Sequence, residues 1–391
     1  MNLTEIQAFL TEQQLDGWLV HDFRGSNPAL AQLFPPQKWL TRRVACLIPR
    51  QGVPKLAVHQ IDAPQWQSIP AEQTVYLTWQ DWQQWLRESL RGCSRLAMEF
   101  SPAGLLPQVA YVDAGTIDFI RSLGCEVVSS ADVLQLATAR WSAEAHAGHL
   151  RAAKLVDQIK EQAFGLIRMR LRQRKKVTEH SVQQFILRRF AEEKLDPDHP
   201  PIVAVNEHSA DPHFEVSAEG PAEIRRGDWV LIDLWARWPG EEHIFADITW
   251  VGFAGEQVPE EHQRVFDTVK QARDAALHRA QSAWRQQQQV RGCDLDDAAM
   301  EVLRAAGYAA NIVHRTGHSL SPGPKIHGLG VNIDNFESRD TRRLLPGIGF
   351  TIEPGVYLPG KFGCRLEINV FVDPVEGPVL TSASQQSPVL L

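Results

Sequence analysis

The rhythm of apolar and polar positions changes along the chain. Short apolar runs at 17–20, 44–48, 56–58, 74–79 and 96–100 read as strands. Stretches at 4–14, 81–91 and 114–123 read as helices lying between them. Gln51-Gly52 supplies a turn between two of the strands. Strands alternating with helices predict an α/β unit over roughly the first 135 residues. From about residue 142 the spacing becomes helical. Leu150, Ala153, Leu155, Ile159, Ala163 and Ile167 fall on one face of a long helix. Thr178 is the predicted N-cap of a second helix, with Glu179 in its first turn and Val182, Phe185, Ile186 and Phe190 as its stripe. Beyond Pro200, strands are predicted at 229–236, 244–253, 350–353 and 365–372, with helices at 260–285 and 295–306. Gly307 closes the last helix as a C′ residue. This second region reads as α+β, with helices backing a curved antiparallel sheet.

Proline marks the boundary. The chain holds 24 prolines in 391 residues, and none lies between Pro107 and Pro197. Hydrophobic residues at 43% and charged residues at 22% are ordinary globular usage, which excludes a disordered or fibrous chain. A net charge of −7 gives no broad positive field, so nucleic acid is not an expected partner. The basic run Arg168, Arg170, Arg172, Arg174, Lys175, Lys176 reads as a solvated helix C-terminus rather than a phosphate patch. Five scattered cysteines without a CxxC pair predict a reduced, cytoplasmic protein and no structural zinc. The opening residues have no basic n-region or apolar core, so no signal peptide is expected. No run of 18 apolar residues predicts a membrane span.

Four carboxylates break the apolar pattern of the second region. Asp233 lies in Val230-Leu231-Ile232-Asp233-Leu234-Trp235, and Asp247 in Ile244-Phe245-Ala246-Asp247-Ile248-Thr249-Trp250. Glu353 ends Phe350-Thr351-Ile352-Glu353, and Glu367 lies in Cys364-Arg365-Leu366-Glu367-Ile368-Asn369-Val370. Burying an unpaired carboxylate is costly. Asp247 shares a strand face with Thr249, as Glu367 does with Arg365 and Asn369, so the acids are expected to meet in one pocket. Four carboxylates side by side need compensating cations, which two divalent metals would supply with one imidazole completing the set. His318 lies between glycine-bearing turns in His314-Arg315-Thr316-Gly317-His318, His327 follows, and His213 stands upstream in Asp211-Pro212-His213. The plain alternative, structurally paired acids, requires nearby cations, and only Arg365 is adjacent in sequence.

The order Asp233, Asp247, His318, Glu353, Glu367 resembles the pita-bread (M24-type) metallopeptidases, in their creatinase, aminopeptidase P and prolidase group. Glu353-Pro354-Gly355 with Tyr357 beyond, Arg365-Leu366-Glu367 and His314 to His318 carry the resemblance. It implies a creatinase-type α/β N-terminal domain at 1–140 and a pita-bread catalytic domain at 141–391. Two spacings are longer than the family's usual pattern and read as loop insertions: fourteen positions from Asp233 to Asp247, and nine from His318 to His327. Trp235 and Ser319 stand where the family more often has glycine.

The resemblance implies that Asp233 holds one metal, His318 and Glu353 the other, and that Asp247 and Glu367 bridge them. An oxygen-rich donor set with one imidazole suits manganese first, with cobalt, iron or zinc possible. The implied reaction is hydrolysis of the bond before proline in small peptides by a metal-activated water, with Glu353 as proton shuttle and His213 and His327 binding substrate. Arg365 would orient the bridging carboxylates, and His314 could do the same. The family implies a homodimer. An Xaa-Pro dipeptidase is favoured, and an aminopeptidase P acting on longer peptides is the alternative. A methionine-removing aminopeptidase is disfavoured by the N-terminal domain, and a metal-free creatinase by retention of all five ligand types. A non-catalytic peptide-binding relative would be free to lose ligands, and none is lost.

Overall fold

A computed structural model of the chain describes residues 2–34 and 39–391. Two compact units divide at Met1–Thr138 and Ala139–Leu391. The first runs α1 (Leu3–Glu12), β1 (Gly17–Phe23), α2 (Pro28–Leu33), β2 (Arg43–Pro49), β3 (Lys55–His59), β4 (Glu72–Tyr76), α3 (Trp79–Ser89), β5 (Arg95–Met98), α4 (Ala114–Ser122), β6 (Glu126–Ser129) and α5 (Ala131–Thr138). Its six strands form one sheet in the order β4-β3-β2-β1-β5-β6. The central pairs β1/β2 and β2/β3 are antiparallel, and the flanking pairs are parallel. Gly52, at φ +95°, makes the tight turn between β2 and β3. The strand predicted to reach residue 79 stops at Tyr76. Thr78 accepts from the Asp81 N–H while the Asp81 carboxylate accepts from the Thr78 N–H, and this capping box starts α3 at Trp79. The short elements α2, β6 and α5 carry too few residues for a periodic signal.

The second unit runs α6 (Ala143–Arg172), α7 (Glu179–Glu192), β7 (Ile202–Val205), β8 (Trp229–Ala236), β9 (Ala246–Phe253), α8 (Glu260–Arg285), α9 (Gly292–Ala305), β10 (Ser319–Leu320), β11 (Gly349–Ile352), β12 (Gly355–Leu358), β13 (Phe362–Arg365), β14 (Ile368–Asp373), β15 (Gly377–Leu380) and β16 (Val389–Leu390). Its strands hydrogen-bond as three pieces, β16-β9-β8-β7, β10-β11-β14-β15 and β12-β13. All pairs are antiparallel except β16 with β9. Alternation along β8 sorts its side chains by face. Val230, Ile232 and Leu234 pack with α6 and α7, whereas Trp229 and Leu231 join the core beneath α8 and α9. Asp233 belongs to the latter face.

Two predictions change in detail. Leu150 and Leu155 do not belong to the buried stripe of α6: Leu150 is 45% exposed and Leu155 is half-buried. Ala153, Ile159, Ala163 and Ile167 are buried as predicted and are joined by Ala152, Val156 and Phe164, because small residues let α6 lie close on β8 and β9. The single strand predicted at 365–372 is two strands of different sheets. Arg365 pairs with Gly355 in β12, while Ile368 pairs with Ile352 in β11, and Leu366 and Glu367 span the switch. No helix among the described residues is long and apolar enough to cross a membrane. All five cysteines are free.

Candidate active site

The β8/β9 hairpin sets Asp233 opposite Thr249 and Trp235 opposite Asp247, so both aspartates share one face two rungs apart. Glu353 follows β11 directly, Glu367 sits in the break between β13 and β14, and His318 precedes β10. Four elements distant in sequence thus deliver five buried or nearly buried ligand-type side chains to one cavity of about 760 Å³. Donor atoms of Asp247, His318 and Glu367 lie within 4.8 Å of one another. His318 Nε2 is 3.3 Å from Asp247 Oδ2 and 3.6 Å from Glu353 Oε1. Asp233 joins the group through Thr249, whose Oγ1 is 2.9 Å from both Asp233 Oδ1 and Glu367 Oε2.

Backbone contacts hold these side chains in place. The Glu367 N–H donates to Thr249 O at 3.2 Å, the Glu353 N–H to Thr316 O, and the His318 N–H to Thr351 Oγ1. Asn369 brackets the Asp247 backbone, accepting from its N–H and donating to its carbonyl. Buried Asp296 on α9 accepts from the Thr316 and Asn335 N–H groups. Thr351 and Asp296 had no signal in the sequence, since their work is backbone tethering across long separations. Asn369 was visible as part of an alternating polar face.

Among the described residues, Arg365 is the guanidinium in contact with these acids. It donates to Asp233 Oδ2, to Thr249 Oγ1 and to the Tyr357 hydroxyl, and its Nε is 3.9 Å from Glu353. It therefore contacts Asp233 rather than the two acids predicted to bridge. His314 stands behind it. With Nδ1–H donating to Arg315 O, His314 Nε2 accepts from the Tyr357 hydroxyl at 2.7 Å. This fixed chain orients Arg365.

The electrostatics show a site short of positive charge. Burial raises the pKa of Asp233, Glu367 and Asp247, the last to about 7. Burial also opposes charge on Glu353, but His318 and Arg365 hold its carboxyl below the usual range. Burial disfavours the His318 imidazolium, yet Asp247 and Glu353 raise its pKa. Next to His318 and mostly buried, His327 is pushed down to about 2.

These residues fit metal ions. Asp247 Oδ1 and Glu367 Oε1 are buried without a hydrogen-bond partner among the described residues. Such orphaned oxygens are expensive unless a ligand takes them up. Thr249 has one proton to share between two carboxylates. His318 Nδ1 is 3.2 Å from Ser319 O, which leaves Nε2 facing the carboxylates, where it can ligate a cation once deprotonated. His213 and His327 line the same cavity, with the His327 ring centroid 4.1 Å from that of His318.

Residues 147–374 match the family described as metallopeptidase family M24. The chain belongs to the M24 metallopeptidases. A Pyrococcus furiosus Xaa-Pro dipeptidase is 32% identical over 172 residues, covering 44% of this chain and 44% of that protein. The chain thus aligns with less than half the length of such curated relatives. Dipeptidase PepE from Mycobacterium ulcerans superposes with a TM-score of 0.66 at 23% identity, covering 99% of this chain and 96% of that one. A prolidase from Thermococcus sibiricus gives 0.63 at 22% identity, covering 100% and 98%. These likenesses show the fold, an α+β pita-bread architecture.

Proposed function

We propose that this M24 member is a dinuclear metallopeptidase that hydrolyses the peptide bond before proline, with Xaa-Pro dipeptides as substrates. The observation that carries the reading is the convergence of Asp233, Asp247, His318, Glu353 and Glu367 on one cavity with two orphaned carboxylate oxygens. Asp233 would hold one divalent cation, His318 and Glu353 the second, and Asp247 and Glu367 both, with Mn²⁺ the first choice for so oxygen-rich a set. When bound, the pair supplies Lewis acidity that makes a water a nucleophile near neutral pH and polarises the scissile carbonyl. The four carboxylates carry −4 and Arg365 +1, a deficit of positive charge that two dications would supply.

The chain's own groups complete the chemistry. Glu353 is held ionised, so it can take a proton and return it to the leaving nitrogen. His213 and His327 donate hydrogen bonds to the substrate carbonyl and to the oxyanion, and each such donor contributes about 3 kcal/mol. His314 and Tyr357 keep Arg365 on Asp233. The dipeptidase in Pyrococcus furiosus acts on Xaa-Pro by its name, which supports the choice of proline. Purified without chelator, the protein should carry divalent metal. With Mn²⁺ it should cleave Ala-Pro in preference to Ala-Pro-Ala, and the reverse preference would make it an aminopeptidase P. Asp247→Ala or Glu367→Ala should abolish cleavage and metal retention, and full activity in either variant contradicts the bridging assignment.

A further inference from the structure

The basic residues at the end of α6 read in sequence as a solvated helix C-terminus. The structure changes their setting. Arg168 turns away to the Leu390 carbonyl. Arg172, Arg174, Lys175 and Lys176 instead line one concavity of about 530 Å³ together with Arg225 and Arg226, which come from the loop before β8. A helix C-terminus presents only about half a negative charge, far less than six cations. Glu223 is the acid on that wall among the described residues, and it accepts from Arg225 Nη2 at 3.2 Å. The other five cations have no side-chain partner among the described residues, and all six are exposed.

Backbone contacts hold both segments in place. At the end of α6 the Arg174 N–H donates to Leu171 O at 3.1 Å and the Lys175 N–H to Arg170 O at 2.9 Å, which closes the helix and fixes the basic turn. The turn is then zipped to the second segment. The Ile224 N–H donates to Val177 O at 2.9 Å, the Glu179 N–H to Ala222 O at 3.1 Å, and Thr178 bridges Glu223. Asp228 accepts from the Arg225 N–H at 2.6 Å and from Asn206 Nδ2 at 2.8 Å, which anchors the second segment beside the end of β7.

Like charges gathered on a fixed frame repel one another, and a polyanion relieves that repulsion with little ordering of the backbone. Six cations against one carboxylate call for a ligand with several adjacent negative groups. Four of the six are arginines, whose planar fork pairs with phosphate oxygens two at a time. The concavity is compact, so it suits a short chain of phosphates. A nucleic acid would spread along a molecule whose net charge is −7 and be repelled by it. We propose that this concavity binds an oligophosphate, presented as the tail of a nucleoside triphosphate or as inorganic polyphosphate. None of the six cations lines the metal cavity, so the site is separate from it.

The test uses the full-length metal-loaded protein, titrated calorimetrically with inorganic tripolyphosphate, ATP and AMP. Tripolyphosphate and ATP should bind, and AMP, with one phosphate, should bind at least about 10-fold more weakly. Raising the salt from ~0.05 to ~0.5 M should weaken both, since the contacts are exposed. Lys175→Ser combined with Arg226→Ser should raise Kd by about 10-fold. Lys154→Ser, at an exposed position of α6 outside the concavity, should leave Kd unchanged. Capture of active-site metal by phosphate is common to wild type and variants and cancels in this comparison. Acetylation footprinting gives a second readout that needs no variant: tripolyphosphate should slow modification of Lys175 and Lys176 and not of Lys154. Tighter binding of ATP than of tripolyphosphate assigns the site to nucleotides, and equal or weaker binding assigns it to the phosphate chain alone; both support the proposal. Absence of binding up to ~1 mM, an unchanged Kd in the double variant, or unprotected Lys175 and Lys176 overturns it. Tighter binding of a single-stranded oligonucleotide than of tripolyphosphate also overturns it, since the face would then serve nucleic acid.

Discussion

The Thr249 hydroxyl shows how much a single atom organises here. It accepts from Arg365 Nε at 3.1 Å and lies 2.9 Å from oxygens of both Asp233 and Glu367, so it fixes the spacing of one carboxylate on β8 and one in the break between β13 and β14. Thr249→Val keeps the β-branched shape and removes the hydroxyl alone. Buried at 0% exposure, the valine should leave the fold intact. Metal affinity should fall by roughly 10- to 100-fold, as for other partners of ligating groups. A chelator-competition titration measures this, and unchanged affinity would contradict the role given to Thr249. The four acids were legible as residues, because carboxylates interrupting apolar strands stand out in a sequence. Thr249 was visible only as a face-mate of Asp247, since a threonine in a strand is unremarkable until its neighbours are known.

At the level of elements, the site depends on how closely loops approach strands. Gly317 exchanges backbone hydrogen bonds with Ile333, and its neighbour His318 accepts from the Thr351 N–H. A Cβ at Gly317 would stand 2.1 Å from Thr351 O, a backbone atom that cannot move aside without shifting β11. Gly317→Ala should therefore lower stability by ~3 kcal/mol and displace His318 from the carboxylates. Thermal unfolding and metal stoichiometry should fall together, and a drop in stability with full metal binding would show that the His318 loop adjusts. The longer helices were predicted, whereas α2 and α5 were not. The expected span 260–285 matches α8, and Thr178 does cap α7, its hydroxyl accepting from the Ser181 N–H. The break at Leu366 and Glu367 was not, because the polar alternation from Arg365 to Asn369 runs on unchanged while the backbone partner switches from β12 to β11.

For the whole molecule, buried His149 contributes to the response to acid. His149 donates from Nδ1 to Phe245 O at 2.9 Å, accepts at Nε2 from the Thr381 hydroxyl at 2.7 Å, and is fully buried. Burial lowers its pKa to about 3. Between that value and the unfolded value of about 6.5, the unfolded chain binds a proton that the folded chain does not, so stability falls as pH falls through this window. His149→Gln retains a donor and an acceptor but cannot charge. At pH 7 the variant should unfold at a lower temperature than wild type through imperfect packing, and by pH 4.5 that gap should close or reverse, the linkage reaching about 3 kcal/mol there. A gap constant with pH would show that His149 does not titrate with unfolding.

Sequence alone determined which side chains had to be accommodated and which local elements would form. Helical periodicity, caps and strand alternation act within a few residues, so the longer helices, the longer strands and the five ligand-type residues could be read directly. Only tertiary structure decided which of them meet. Thr249 linking Asp233 to Glu367, Arg365 committed to Asp233, and Tyr357 joining His314 to Arg365 all depend on contacts between residues far apart in the chain. Those contacts are fixed by how the sheets and helices bury their apolar faces, which no local pattern encodes.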